Sequence, residues 1–148
     1  MFADFDKSHI SQVAEIERLC FSDPWSERAL EESLESEFSH FTVALDGESV
    51  VGYIGLYTVS GEGSITNVAV HPDSRGRGIG RSLVEKAIER GGALGLEYLT
   101  LEVRKSNGTA RALYEKCGFL TVGERRNFYS NPKEDALIMN YYYKEKQN

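Results

Sequence analysis

The chain is 148 residues long, 41% hydrophobic and 27% charged, with a formal net charge of −6. That is one domain's length with enough apolar material for a sizeable core, so residues 1–148 are expected to form a single domain. Nothing approaches the roughly 18 uninterrupted apolar residues of a membrane-spanning helix, and an acidic chain offers no broad basic face, so neither a membrane nor a nucleic acid is an expected partner.

Taken in order, Met1–Phe5 predicts a short first strand. It carries neither the basic nor the apolar region of a secretory signal, so a cytoplasmic location is expected. From Ser8 the apolar residues Ile10, Val13, Ile16 and Leu19 predict a helix ending near Cys20. Phe21-Ser22-Asp23-Pro24-Trp25 breaks it, and Ser26 with Glu27 reads as the N-cap and first turn of a second helix. His40–Leu45, Asp46-Gly47 and Val50–Val59 predict a hairpin turned by Asp-Gly. Gly61-Glu62-Gly63 then turns the chain into a strand at Ser64–Val70.

The next stretch, His71-Pro72-Asp73-Ser74-Arg75-Gly76-Arg77-Gly78-Ile79-Gly80-Arg81, is the most informative in the chain. It leads from a strand end through a glycine–arginine loop into a helix with apolar residues at Leu83, Val84, Ala87, Ile88 and Leu94. A loop feeding a helix N-terminus offers unpaired N–H groups at the positive end of the dipole. Glycines let a bulky anion approach them, and Arg75, Arg77 and Arg81 add charge. This predicts a phosphate site, most simply for a pyrophosphate. It is not a Walker A loop, because Gly80-Arg81-Ser82 stands where Gly-Lys-Ser/Thr is needed. It is not the dinucleotide fingerprint either, because Arg81 occupies the third glycine position.

Tyr98–Val103 predicts a strand, and Asn107 caps a helix with Ala110, Leu113, Tyr114 and Cys117 on its apolar side, stopped by Gly118. Two strands near Thr121–Phe128 and Ala136–Tyr143 close the chain. Consecutive middle strands imply antiparallel pairing, and strand–helix–strand segments imply parallel pairing, so the sheet is expected to be mixed.

Arg75-x-x-Gly78-x-Gly80 resembles the Q/R-x-x-G-x-G/A signature of the GCN5-related N-acetyltransferases, the GNAT superfamily. Four further segments are similar to one branch of it, the ribosomal-protein-alanine N-acetyltransferases. They are Cys20-Phe21-Ser22-x-Pro24-Trp25-Ser26, Glu102-Val103-Arg104-x-Ser106-Asn107, Ala112-Leu113-Tyr114-Glu115-x-x-Gly118-Phe119 and Arg125-Arg126-Asn127-Phe128-Tyr129. The resemblance implies an α/β (α+β) fold, a mixed, mostly antiparallel sheet of about seven strands flanked by four helices. It implies acetyl-coenzyme A as cosubstrate, with no metal, and the N-terminus of a ribosomal protein as acceptor. The loop Arg75, Gly76, Arg77, Gly78, Ile79, Gly80 and Arg81 is then expected to hold the pyrophosphate. Backbone groups of Val68, Ala69 and Val70 are expected to hold the acetyl carbonyl and pantetheine arm, and Asn107 to touch the cofactor.

The same resemblance gives Glu102 as general base and Tyr114 as general acid. Without it, Glu102 reads as a solvated strand residue and Tyr114 as a core aromatic. The chemistry is compatible with those roles. An α-amine titrates at about 7.7–8.0, so its base has a modest task. A leaving thiolate near ~8.5 can be served by a tyrosine near ~10. Cys117 would suggest an acetyl-cysteine route, but the negative end of a helix dipole weakens a thiolate there, so direct transfer is expected. His71, ahead of Pro72, is expected to be structural.

For the acceptor, Trp25 and Tyr129 are the candidate walls of a peptide slot; Phe128 replaces the tyrosine commonest in the family. Residues 1–70 carry 3 Lys/Arg against 13 Asp/Glu, a net of −10, and the carboxylates of residues 15–37 suit a basic peptide. Cys20 and Cys117 have neither disulfide-scaffold nor zinc-site spacing. A monomer is expected. A small-molecule or lysine amine as acceptor, or a non-catalytic coenzyme A-binding module, remain the alternatives.

Overall fold

The computed structural model describes residues 1–143, in which the segments rich in Val, Ile, Leu and Tyr have joined into one seven-stranded sheet. Its strands are β1 (Phe2–Asp4), β2 (Thr42–Asp46), β3 (Ser49–Val59), β4 (Glu62–Val70), β5 (Tyr98–Arg104), β6 (Leu120–Ser130) and β7 (Lys133–Tyr142). The helices are α1 (Ile10–Cys20), α2 (Glu27–Glu35), α3 (Ile79–Ala93) and α4 (Gly108–Lys116), with single 3₁₀ turns at Lys7–His9 and Pro72–Ser74. Strand order is β1-β2-β3-β4-β5-β7-β6, and every neighbouring pair is antiparallel except β4 and β5. The mixed, mostly antiparallel sheet and four helices are as the sequence implied. Only one of the two strand–helix–strand segments gives a parallel pair, because β7 inserts between β5 and β6.

The sheet separates two cores. One lies beneath α3 and α4 and holds Leu83, Val84, Ala87, Leu99, Leu101, Val103 and Phe119. The other lies beneath α1 and α2 and holds Val13, Ala14, Ile16, Leu30, Phe41, Val43, Tyr53 and Ala69. Each fully buried aliphatic side chain contributes roughly 1.5–3 kcal/mol. Helix α3 lies so close to the last described residue that a Cβ at Gly91 would collide with the hydroxyl of Tyr143, which donates to Ile88 O at 2.6 Å.

Three local expectations need correction. The first helix follows a 3₁₀ turn and buries Val13, Ala14, Ile16 and Glu17, while Leu19 is 52% exposed. The stripe at i, i+1, i+3 and i+4 carries a glutamate inward in place of the leucine. The turn before β4 is made by Ser60 and Gly61, both at positive φ, so Glu62 and Gly63 already belong to the strand. Leu94 is the exposed C-cap of α3, and Leu96, beyond Gly95, takes the buried place.

Candidate active site

Strands β4 and β5 run side by side only briefly. Glu62, Gly63 and Ser64 pair with Tyr98, Leu99 and Thr100, and then the ladder stops. Opposite β3, the register shifts between Gly55↔Asn67 and Leu56↔Ile65, which leaves Thr66 as an extra residue in β4. Such a bulge bends its strand and reverses which face later side chains meet. Before it Ile65 packs toward α3 and α4; after it Val68 and Val70 do, while Ala69 packs toward α1 and α2. The opened sheet leaves a cleft of about 480 Å³. Its walls come from the end of α1 and the loop before α2, from Ile65–Val68, Leu101–Arg104 and α4, and from Tyr129, Asn131 and Pro132.

The cleft therefore has two sides separated by the plane of the sheet. Leu101 and Val103 pack under α3 and α4, so alternation sends Glu102 and Arg104 toward α1 and α2. Tyr114 approaches from α4, with its ring 5.9 Å from that of Phe119. Burial, then the neighbouring Tyr129 and Cys117, push the Tyr114 hydroxyl up to about 12, above the sequence-based expectation of ~10. Glu102 is half-buried, its side chain 31% exposed, with Oε1 3.7 Å from Arg125 Nε. Asn107 lines the cleft and also caps α4, accepting from Ala110 N at 3.1 Å.

Beyond the end of β4 lies the glycine loop. Among the described residues, the six backbone N–H groups from Gly76 to Arg81 have no hydrogen-bond partner. Gly76 and Gly78 hold φ of 82° and 77°, and a Cβ on either would meet nothing within 4 Å, so the space above them is open. Successive N–H groups facing open space at a helix start form an anion cradle. The arginines are less equal than the sequence suggested. Arg75 turns back to donate to Val70 O and Cys20 Sγ, each at 3.3 Å, and so braces the loop against β4. Arg81 pairs with Glu85 at 2.9 Å. Arg77 is exposed and makes no ion pair among the described residues. His71 accepts from Asp73 N at 3.1 Å and caps the 3₁₀ turn, the structural part expected of it.

On the α1–α2 side, Trp25 lines the cleft with its ring 6.2 Å from Phe41. Tyr129 also lines it, and the Arg104 guanidinium stacks 4.3 Å from its ring centroid. Phe128 is 47% exposed, edge-on to Tyr129, and is not part of the wall. Both aromatics sit in an irregular stretch of β6 beside Asn127, which has φ of 54°. Cys117 sits at the C-cap of α4, where burial foremost, with Glu85 adding, raises its thiol. Of the expected cofactor-contacting backbone, Val68 borders the cleft, whereas the Val70 carbonyl is already engaged by Arg75 and, at 3.5 Å, by Cys20 Sγ.

Sequence reading missed two features. Arg104 donates to Pro132 O at 2.9 Å and Asn131 O at 3.2 Å, and pairs with Glu134 at 3.3 Å, tying the β6–β7 turn to β5. Ser22 Oγ donates to Asn131 O at 2.6 Å from the opposite wall. Partners so far apart in sequence leave no local signal. The second is Glu17, wholly buried in the cleft wall, its Oε1 accepting from Asn67 Nδ2 at 2.8 Å. Burial raises its carboxyl above the usual range, and Tyr53, the Trp25 backbone and Asn67 oppose that shift. Its place one residue after Ile16 on the apolar stripe was the available signal.

Comparison with known proteins places this geometry. Residues 10–119 match the Acetyltransferase (GNAT) family. The chain is 36% identical over 126 residues to the [ribosomal protein bS18]-alanine N-acetyltransferase of Escherichia coli K12, covering 84% of each chain. It is also 36% identical over 141 residues to the N-alpha-acetyltransferase RimI of Mycobacterium tuberculosis, covering 90% of this chain and 86% of that one. The crystal structure of the ribosomal-protein-S18-alanine N-acetyltransferase from Escherichia coli superposes with a TM-score of 0.91 at 30% identity, over 99% of this chain and 96% of that one.

Proposed function

The chain belongs to the GNAT acetyltransferase family, and from that footing we propose that it transfers the acetyl group of acetyl-coenzyme A to the α-amine of an N-terminal alanine on a small-subunit ribosomal protein. The observation that carries this reading is the gap between β4 and β5, with Glu102 on one face of the sheet and Tyr114 on the other. A thioester threaded from the α3–α4 side meets there an amine arriving from the α1–α2 side.

In this reading the N–H groups of Gly76–Arg81 and the Arg77 charge hold the pyrophosphate, and Arg75 keeps the loop in place. Acetyl-coenzyme A supplies an activated acyl carbon on a thiol leaving group. Open backbone groups on the β5-facing edge of Val68–Val70 orient that carbonyl, where preorganised donors act most strongly. Glu102 takes the α-amine proton, directly or through water. Its partial exposure gives the proton a route to solvent. Tyr114 donates to the departing sulfur. With its hydroxyl pushed up to about 12, it stays protonated throughout the working range. The same burial raises the cost of a bare thiolate, so donor and leaving group stay better matched than their values in water suggest. Trp25 and Tyr129 wall the slot for the first residues of the peptide.

Turnover of acetyl-coenzyme A with an Ala-initiated basic peptide tests the reading, beside the same peptide with a blocked N-terminus, a lysine-only peptide and a polyamine. Acetylation restricted to the free α-amine is expected. Equal or faster turnover with the blocked peptide or the polyamine would overturn it.

A further inference from the structure

Buried polar atoms without a hydrogen-bond partner are uncommon, and each asks for a reason. Three of those among the described residues fall in one place: Glu17 Oε2, Asn67 Oδ1 and the Tyr53 hydroxyl. They come from α1, β4 and β3 and meet on the α1–α2 face of the sheet, and Glu17 and Asn67 form part of the cleft wall. The Thr66 bulge is what brings Asn67 to this face, beyond Ser64, where β4 leaves β5. Glu102 stands across the gap on β5.

The cluster is short of donors. Glu17 Oε2 and Asn67 Oδ1 can only accept while the carboxyl is ionised, and beside the Asn67 amide only the Tyr53 hydroxyl and the Trp25 N–H lie near enough to give Glu17 a hydrogen. Asn67 already gives an N–H to Glu17. No lysine or arginine pairs with Glu17 among the described residues, so a buried carboxylate lacks a cation as well. An α-ammonium would supply both, three N–H donors and one positive charge.

We propose that Glu17, acting through Asn67, forms the recognition site for the acceptor's α-ammonium, opposite Glu102 across the gap between β4 and β5. This rests on the α-amine reading above and deepens it. The ammonium sits at the cleft surface against half-buried Asn67, with the Glu17 carboxylate directly behind. Glu17 is therefore a positioning residue: it sets the Asn67 amide and attracts the charge, while Glu102 remains the group that takes the proton. The burial that raises the Glu17 carboxyl also strengthens its pull on a cation brought beside it.

The test is peptide binding by the full chain with coenzyme A present, so that no transfer occurs. An Ala-initiated peptide is compared with its counterpart carrying an α-hydroxyl in place of the amine. The wild type should bind the amine peptide at least ~10-fold tighter. Glu17→Gln should bring that ratio close to one, leaving affinity for the hydroxyl peptide and for coenzyme A unchanged. Asn67→Ala, which spares the buried carboxylate, should reduce the ratio too and keeps the test available if Glu17→Gln does not fold. An unchanged ratio in the variants would mean that the cluster is satisfied by a buried water, and overturns the proposal. Equal weakening of both peptides would show a structural role only, and also overturns it. A wild type that acetylates the amine peptide but binds the two equally overturns this inference alone, whereas one that acetylates no α-amine overturns the functional reading beneath it.

Discussion

The two halves of the cleft are built differently. The loop end of the half facing α3 and α4 is one continuous segment, the end of β4, the glycine loop and the first turn of α3, and its donors are backbone N–H groups, with Tyr114 added from α4. The half facing α1 and α2 is assembled from Glu17, Trp25, Asn67, Glu102, Arg104 and Tyr129, which come from five stretches of chain and act through side chains. A contiguous backbone site depends on local conformation and tolerates side-chain change except at residues holding positive φ. An assembled side-chain site depends on every element that carries a part. Damage to the first half should therefore appear in cofactor affinity, and damage to the second in the use of the peptide.

The largest effects are expected where the halves meet. Glu102→Gln and Tyr114→Phe keep size and shape and should lower kcat by ~10²–10⁴-fold with little change in either KM. The Glu102→Gln deficit should shrink above about pH 8, where the free amine dominates. A deficit constant from neutral to alkaline pH would make Glu102 a substrate-positioning group. Because the Tyr114 hydroxyl is raised to about 12, its neutral, donating form persists as pH rises. An alkaline loss of kcat near pH 10 that disappears in Tyr114→Phe would contradict that environment.

Next in size, Gly78→Asp should weaken acetyl-coenzyme A binding by ~10–100-fold, since a non-glycine residue at φ 77° is strained and its carboxylate would face the pyrophosphate. Arg77→Ala should cost less, because one exposed cation is lost and the N–H cradle stays. Calorimetric titration reads both, and peptide affinity measured with saturating coenzyme A should not move. A change in peptide affinity as large as that for the cofactor would erase the distinction between the halves.

Arg104→Met tests the opposite side. It keeps the aliphatic stem and removes the hydrogen bonds to Asn131 and Pro132 and the pair with Glu134. The peptide KM should rise by ~10-fold or less, and the KM for acetyl-coenzyme A should hold. Glu134 carries a pH signature of the same tether. Hydrogen bonds from Ser106 hold its carboxyl below the usual carboxylate range, with Arg104 adding. The tether's contribution is thus present above the ordinary glutamate pKa and is lost as pH falls through the lowered value. Melting curves of Glu134→Gln and wild type should converge at the acid end; a difference that persists at low pH would assign the effect to shape.

The smallest effect belongs to long-range charge. Helix α2, which follows the Trp25 wall in the chain, carries Glu27, Glu31, Glu32 and Glu35, and Arg28 already engages Glu32 at 3.3 Å. A basic Ala-initiated peptide should be favoured over an acidic one by ~0.2–1 kcal/mol per contact in kcat/KM. The preference should fade toward 1 M salt, where the Debye length is about 3 Å. Equal values at low salt would leave side-chain shape at Trp25 and Tyr129 to set specificity.

The sequence by itself determined the order of elements, the two N-caps at Ser26 and Asn107, and the glycine loop that opens α3, because each is decided within a few residues by periodicity, capping chemistry and glycine conformation. It also singled out Glu102 and Tyr114, though only through resemblance; spacing alone left both as ordinary strand and core residues. Tertiary structure decided the rest. The insertion of β7 between β5 and β6 carries Tyr129 and the β6–β7 turn to the α1–α2 side of the cleft, and no local pattern encodes which strand enters an open position. The Thr66 bulge turns Asn67 toward Glu17, and Arg104 reaches a turn some 28 residues away. Those are contacts between distant segments, and they acquire a free energy only when the sheet that joins them has formed.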